Sequence, residues 1–231
     1  MHIEVLTEGS SDEALLKHLL PKLIGANGEP HTWRVRDYRG IGRIPPDLKG
    51  GNPARRILLD QLPRVLGGYA KTPGIDAVVV VLDADDRDCA TFLAELRAVA
   101  ASRGAGAKTM FRLAIEETET WYFGDPDALH AAYPKAKKAV LKRYRQDTVC
   151  GTWEMLADAI HPGGLAAVRK PGGPLPGKLK HDWANRIGPL MNPDANRSPS
   201  FGKLRDGLRR LVAAAADNPA PAMQPGQTPA G

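Results

Sequence analysis

Three acids, Glu8, Asp83 and Asp85, stand where side chains could converge on a metal ion. Glu8 closes the short run Ile3-Glu4-Val5-Leu6-Thr7 and is followed at once by Gly9, which lets the backbone turn tightly. Asp83 and Asp85 follow the five aliphatic residues 78–82. Acids separated by one residue project to the same face while the backbone stays extended. A carboxylate group of this kind suits Mg²⁺ or Mn²⁺, because a hard cation takes oxygen ligands and Mg²⁺ keeps several of its waters. Without a cation the pair is costly, since each carboxylate raises the pKa of the other. The plainer role for Glu8 is negative charge near a helix N-terminus. Ser10, Asp12 and Glu13 already serve there, which favours a functional Glu8. Asp88 is read as nothing more than the cap of a helix beginning near Cys89.

The elements that must position these acids follow from hydrophobic pattern. A short, mostly β-branched run such as residues 78–82 reads as a strand buried on both faces of a parallel sheet. Ligands of such sheets sit beyond the carboxyl ends of the strands, which is where Glu8, Asp83 and Asp85 fall. Between the two acid-tipped strands the pattern predicts a helix from Ser10, with Ser10 and Glu13 at capping-box spacing and a leucine stripe interrupted at Pro21. A strand over 31–36, a long Gly/Pro/Arg-rich loop or flap over 37–53 and a helix over 54–66 come next. A strand over 76–82, a helix over 89–101 and a strand over 108–115 complete the alternation. The result is a layered α/β domain of residues 1–134. Residues 135–214 form a basic, mainly helical extension, with a turn-rich break over 171–177 and a helix over 200–214. The Ala/Pro/Gln/Gly-rich tail 215–231 has too little hydrophobicity to order itself.

The net charge of +6 is unevenly spread. Residues 1–134 carry 16 Lys+Arg against 19 Asp+Glu, a net of −3, whereas residues 135–212 carry 16 against 6, a net of +10. A cation-hungry half joined to a basic half suits a protein that holds both a metal and a polyanion. Solvated helices or an acidic partner are the plain alternatives. No apolar stretch reaches the ~20 residues of a membrane span. No secretory leader is visible, and Cys89 and Cys150 form no CxxC pair, so a reduced cytoplasm is expected.

Glu8-Gly9 after the first strand, together with Asp83-x-Asp85 after a later one, resembles the TOPRIM domain of topoisomerases, primases and OLD-type nucleases over residues 1 to about 125. The stretches Ile115-Glu116-Glu117-Thr118-Glu119-Thr120-Trp121 and Asn196-Arg197-Ser198-Pro199-Ser200-Phe201 also look like an uncharacterised TOPRIM-like family whose members are often encoded beside ATPases in bacterial defence loci. The resemblance implies a Rossmann-like, mostly parallel sheet flanked by helices, Mg²⁺ or Mn²⁺, and phosphodiester chemistry on DNA or RNA. It makes Glu8 a metal-linked or acid/base glutamate and Asp83 and Asp85 the metal-binding pair. Asp12 matches a second acid of OLD-type nucleases, usually Glu there, and Glu116 and Glu119 follow a strand where they could complete a second metal site.

On that reading Lys178, Lys180, Arg197 and Lys203 of the basic extension hold the phosphate backbone, and an ATPase subunit is an expected partner. The alternative is a non-catalytic TOPRIM-like subunit that regulates an ATPase. Trp121, Tyr122 and Phe123 are read as core ahead of base stacking. The segment Gly172 to Lys178 only superficially fits a phosphate loop, because Leu179 replaces the required Ser or Thr and two prolines remove backbone donors.

Overall fold

The computed structural model describes residues 1–148 and 150–217. Four strands form one all-parallel sheet in the order β2-β1-β3-β4. They are β1 (His2–Thr7), β2 (Thr32–Asp37), β3 (Ala77–Asp83) and β4 (Thr109–Ala114). Helices α1 (Ser10–Ile24), α2 (Leu58–Lys71) and α3 (Cys89–Ser102) make the connections between them. The expected α/β, Rossmann-like sheet flanked by helices is therefore observed.

Side-chain alternation explains the layers. Ile3, Val5, Val79 and Val81 belong to one core with α1, and Leu6, Val78, Val80 and Leu82 to a second core with α2 and α3. Every residue of β3 before Asp83 is buried, so the aliphatic run is apolar on both faces for a physical reason. The chain winds to one side of β1 through α1 and returns across it through α2. That reversal leaves a topological switch point between β1 and β3, where open parallel sheets bind ligands beyond the strand ends.

Among the described residues seven α-helices follow β4: α4 (Thr120–Gly124), α5 (Pro126–Ala132), α6 (Lys138–Leu141), α7 (Thr152–Ile160), α8 (Gly164–Val168), α9 (Pro176–Ile187) and α10 (Pro199–Asp217). Helices α9 and α10 pack on α1, and α10 also lies along β4. Leu179, Trp183, Phe201, Leu204 and Leu208 are buried in the same core as Ile3 and Val79. The boundary expected near residue 134 thus crosses a continuous apolar core. The aromatic triplet Trp121-Tyr122-Phe123 is buried, as its core reading requires. Of the expected disordered tail, residues 215–217 lie in α10 and the rest falls outside the described residues.

Two local expectations shift. Helix α1 is capped one residue earlier than the Ser10/Glu13 spacing suggests: Asp12 accepts the Gly9 amide at 3.2 Å, while Glu13 pairs with Lys17 at 2.8 Å. Helix α9 was not foreseen, because Pro174 and Pro176 read as a break, whereas Pro176 occupies the first turn, where proline is tolerated. The segment expected as a loop or flap is irregular and tied at its start, since the Gly40 amide donates to the Glu8 carbonyl at 2.9 Å. Among the described residues no helix is long and apolar enough to cross a membrane.

Candidate functional site

Glu8 follows the last residue of β1, and its Oε1 accepts the backbone amide of Asp83 at 2.7 Å. Asp83, the last residue of β3, accepts the Thr118 amide at 2.9 Å through Oδ1. The Thr118 hydroxyl then donates to Asp12 Oδ1 at 2.8 Å, and Asp12 Oδ2 takes the Gly9 amide. Gly9 adjoins Glu8, so the hydrogen bonds close a circuit through β1, α1, β3 and the segment after β4. Each carboxylate is aimed by a backbone amide or a buried hydroxyl, which is how a rigid acidic site is built.

Two further acids enter from the segment after β4. Glu119 is 1% exposed, and neither carboxylate oxygen accepts a hydrogen bond of good geometry, although Lys180 Nζ stands 3.2 Å from Oε2. Lys180 also pairs with Glu117 at 2.8 Å. Glu117 and Glu119 therefore share one ammonium, whose charge also reaches Asp12 and Asp83, while Arg87 acts on Glu8. Burial, and next the neighbouring Asp12, push Glu8 from its ordinary 4.5 up to about 8, against the opposing pull of the Asp83 amide and Arg87. Burial and then Glu119 push Glu117 up to about 7. Burial raises Asp83 well above the carboxylate range, with Asp12, Glu8 and Glu119 adding to it. Burial likewise raises Asp12 and Glu119. Burial alone would lower Lys180, but Glu119, Glu117 and Asp83 overcome it and hold the ammonium firmly charged. Acids whose ionisation is resisted by burial and by one another are what a bound cation would relieve, by favouring their charged forms.

The expected site residues divide into three groups. Glu8, Asp12, Asp83 and Glu119 come together. Asp85 does not share the face of Asp83: its φ of 48° lies in the left-handed region, which ends the extended backbone on which the spacing argument rests. It sits on the solvent lip, 49% exposed and paired with Arg87 at 2.8 Å, with its charge close enough to add to the rise in Glu8. Glu116 turns away, with φ of 60°, and its carboxylate caps α7 by accepting the Thr152 amide at 2.9 Å, the Thr152 hydroxyl and the Gly151 amide. Asp88 caps α3 through the Thr91 amide at 2.8 Å, as read from sequence.

Among the expected phosphate contacts, Lys180 is corrected to the counter-ion of the acid cluster, while Lys178, Arg197 and Lys203 are exposed. The two motifs quoted for the family likeness meet in space. Asn196 Nδ2 donates to the Trp121 carbonyl at 2.8 Å, Trp121 Nε1 donates to Ser200 Oγ at 3.0 Å, and the Trp121 and Phe201 rings meet edge-on at 5.7 Å. Their work is to lock α4 and α10 together, and thereby to hold the segment carrying Thr118 and Glu119.

Thr118 and Glu117 escaped the sequence reading. The run Glu116-Glu117-Thr118-Glu119 showed that acids follow β4, but not which side chains a left-handed turn at Glu116 would send inward. Among the described residues no three His, Cys, Asp or Glu side chains already converge closely enough to share one ion. The donor chemistry nevertheless fits a hard dication, because the oxygens of Glu119 are buried and poorly satisfied among neighbouring acid oxygens.

A profile described as a domain of unknown function, DUF4276, matches residues 7–209. No curated protein and no solved structure matches the chain. The matched segment contains the whole acid cluster, all of α9 and the first part of α10.

Proposed function

The chain belongs to the DUF4276 family, and from its acid cluster we propose that it hydrolyses phosphodiester bonds of DNA or RNA with Mg²⁺ or Mn²⁺, as a TOPRIM-type nuclease of the cytoplasm. The observation that carries this reading is the hydrogen-bonded grouping of Glu8, Asp12 and Asp83 at the β1/β3 switch point, with the under-satisfied Glu119 beside it. Those four side chains would hold the ion. When bound, such a cation supplies an activated water at neutral pH and neutralises charge on the phosphoryl oxygens. Glu8 keeps Oε1 on the Asp83 amide, so Oε2 is the atom free to take or return a proton. Lys180 holds Glu117 and Glu119 in place from α9. Arg87, on the lip, is positioned to meet an incoming phosphate as well as Asp85. The family likeness extends the proposal to an ATPase partner in a bacterial defence system.

The test is cleavage of plasmid, linear duplex and single-stranded substrates with and without Mn²⁺, with Glu8→Gln and Asp83→Asn as controls. Each variant is expected to lose on the order of a thousandfold in rate while melting cooperatively. Either variant cutting at the parental rate would remove that residue from the site.

The ammonium of Lys180 supports a second reading. It already serves as a built-in cation, as expected of a non-catalytic subunit that keeps the scaffold and regulates an ATPase. Calorimetry with Mn²⁺ separates the two: no binding by the intact protein favours the regulatory subunit.

A further inference from the structure

A second concentration of charge, of opposite sign, lies along the outer edge of β4. There α3, β4 and α10 enclose a groove of about 450 Å³ lined by Arg97, Arg112, Lys203 and Arg210. Among the described residues none of these four cations forms an ion pair with an acid. The one acid on the wall, Asp206, is engaged by Arg205 at 2.8 Å, and the charge of Arg210 also reaches it.

Arg112 is the built part of the groove. It is half-buried, and main-chain oxygens hold its guanidinium: Nε donates to the Lys203 carbonyl at 2.8 Å and Nη1 to the Phe111 carbonyl at 2.6 Å. Carbonyls fix its direction without cancelling its charge. Glycine at 207 makes room for it, because a Cβ there would collide with the guanidinium. Burial lowers the Arg112 pKa, and repulsion from Arg210 and Arg97 lowers it further, so the groove works against its own charge when empty. An oriented, uncompensated guanidinium flanked by cations suits a phosphate.

The position of the groove says which phosphates. Its wall includes Cys89, the first residue of α3, and Ile115, three residues before the Thr118 whose amide holds Asp83. The groove therefore begins beside the acidic rim and runs down the sheet edge away from it.

We propose that this groove binds the phosphodiester backbone of a nucleic-acid strand whose neighbouring segment reaches the carboxylate rim. Charge complementarity and the shared wall select this occupant, and the identity of the strand as substrate rests on the hydrolytic reading above. Arg112 provides a fixed positive charge for one phosphate, and Arg97, Lys203 and Arg210 track its neighbours. No base edge need be read, so binding is salt-dependent and indifferent to sequence.

The experiment measures binding of a fluorescein-labelled single strand of about 20 nucleotides by anisotropy, in EDTA, across about 50–300 mM salt. Arg97→Glu with Arg210→Glu alters only exposed residues and is expected to weaken binding about tenfold or more, with the salt slope reduced by roughly 1.4 for two lost phosphate contacts. Arg112→Gln is expected to weaken binding further. Unchanged affinity and slope in the double variant, or no binding by the parental protein, overturns the groove. An oligoglutamate peptide that binds while the oligonucleotide does not, and that loses affinity in the same variants, overturns nucleic acid as its occupant. Weakened binding in the variants, together with no cleavage by the parental protein under any metal, upholds the groove and sinks the hydrolytic reading. Intact metal-dependent cleavage with unchanged binding does the reverse.

Discussion

The acidic rim and the basic groove meet near the carboxyl end of β4 and treat like charges in opposite ways. At the rim, Asp12 and Glu119 are almost wholly buried, and a network drawn from four chain segments holds the acids in place. In the groove, three of the four cations are exposed, and only Arg112 is tied down, by carbonyls. Burial decides the difference. Charges kept from water must be protonated, paired or matched by an ion, whereas exposed ones are already solvated and cost little until a ligand arrives. The comparison teaches that the rim is expensive to perturb and the groove is cheap to perturb.

Lys180→Met gives the largest effect, because it removes the ammonium that pairs with Glu117 and Glu119 and whose charge reaches Asp12 and Asp83. At neutral pH the loss of stability is expected to be about 3–5 kcal/mol, the range seen when one partner of a buried pair is deleted. Chemical denaturation at pH 7 and pH 5 checks it, and the deficit should shrink at the lower pH as the acids protonate. A loss no larger than a surface substitution would place Lys180 outside the rim's charge balance.

The parental protein carries the next effect. Glu8 and Glu117 are raised in the folded state to about 8 and about 7 from an ordinary 4.5. Below 4.5 both states are protonated and the full stability is present. As pH rises from 4.5 to 8 the unfolded chain releases protons that the folded chain retains, so stability falls across that window. Melting temperature measured from pH 4.5 to 8.5 at constant ionic strength should drop by several degrees, and Mn²⁺ should restore the upper end. A flat profile without metal contradicts the burial of these acids.

Glu116→Ala is smaller, at about 1–2 kcal/mol, since it removes an α7 cap. Its melting point should move while metal affinity does not, which separates Glu116 from the neighbours it was grouped with. Asp85→Asn is the smallest for stability, within about 1 kcal/mol, because its ion pair with Arg87 is substantially exposed. If cleavage nevertheless falls as far as in Glu8→Gln, Asp85 joins the ion's ligands despite its place on the lip.

The predictable features are those set by short-range rules. A strand buried on both faces follows from residues 78–82, a helix cap from Asp88, and a core role from the Trp121 triplet. Glu8 and Asp83 could be paired in advance because two parallel strands in one sheet end at the same rim. Asp85 could not be placed in this way: its left-handed backbone depends on the bridge its amide makes to the Glu116 carbonyl, at 2.9 Å. The division of charge along the chain was similarly misleading about space. Part of the basic half, Lys180, folds back into the acidic half because α9 docks on α1.

Composition and pattern alone therefore establish an α/β layer with acids at strand ends and a cationic second half. Folding selects which acids meet, recruits Lys180 as the counter-ion of Glu117 and Glu119, and ties Arg112 at the β4 edge to carbonyls rather than to an acid. The physical reason is that periodicity and capping act over a few residues. The balance of charge at a site is summed over segments as far apart as Asp12, Thr118 and Lys180, which only packing brings within reach of one another.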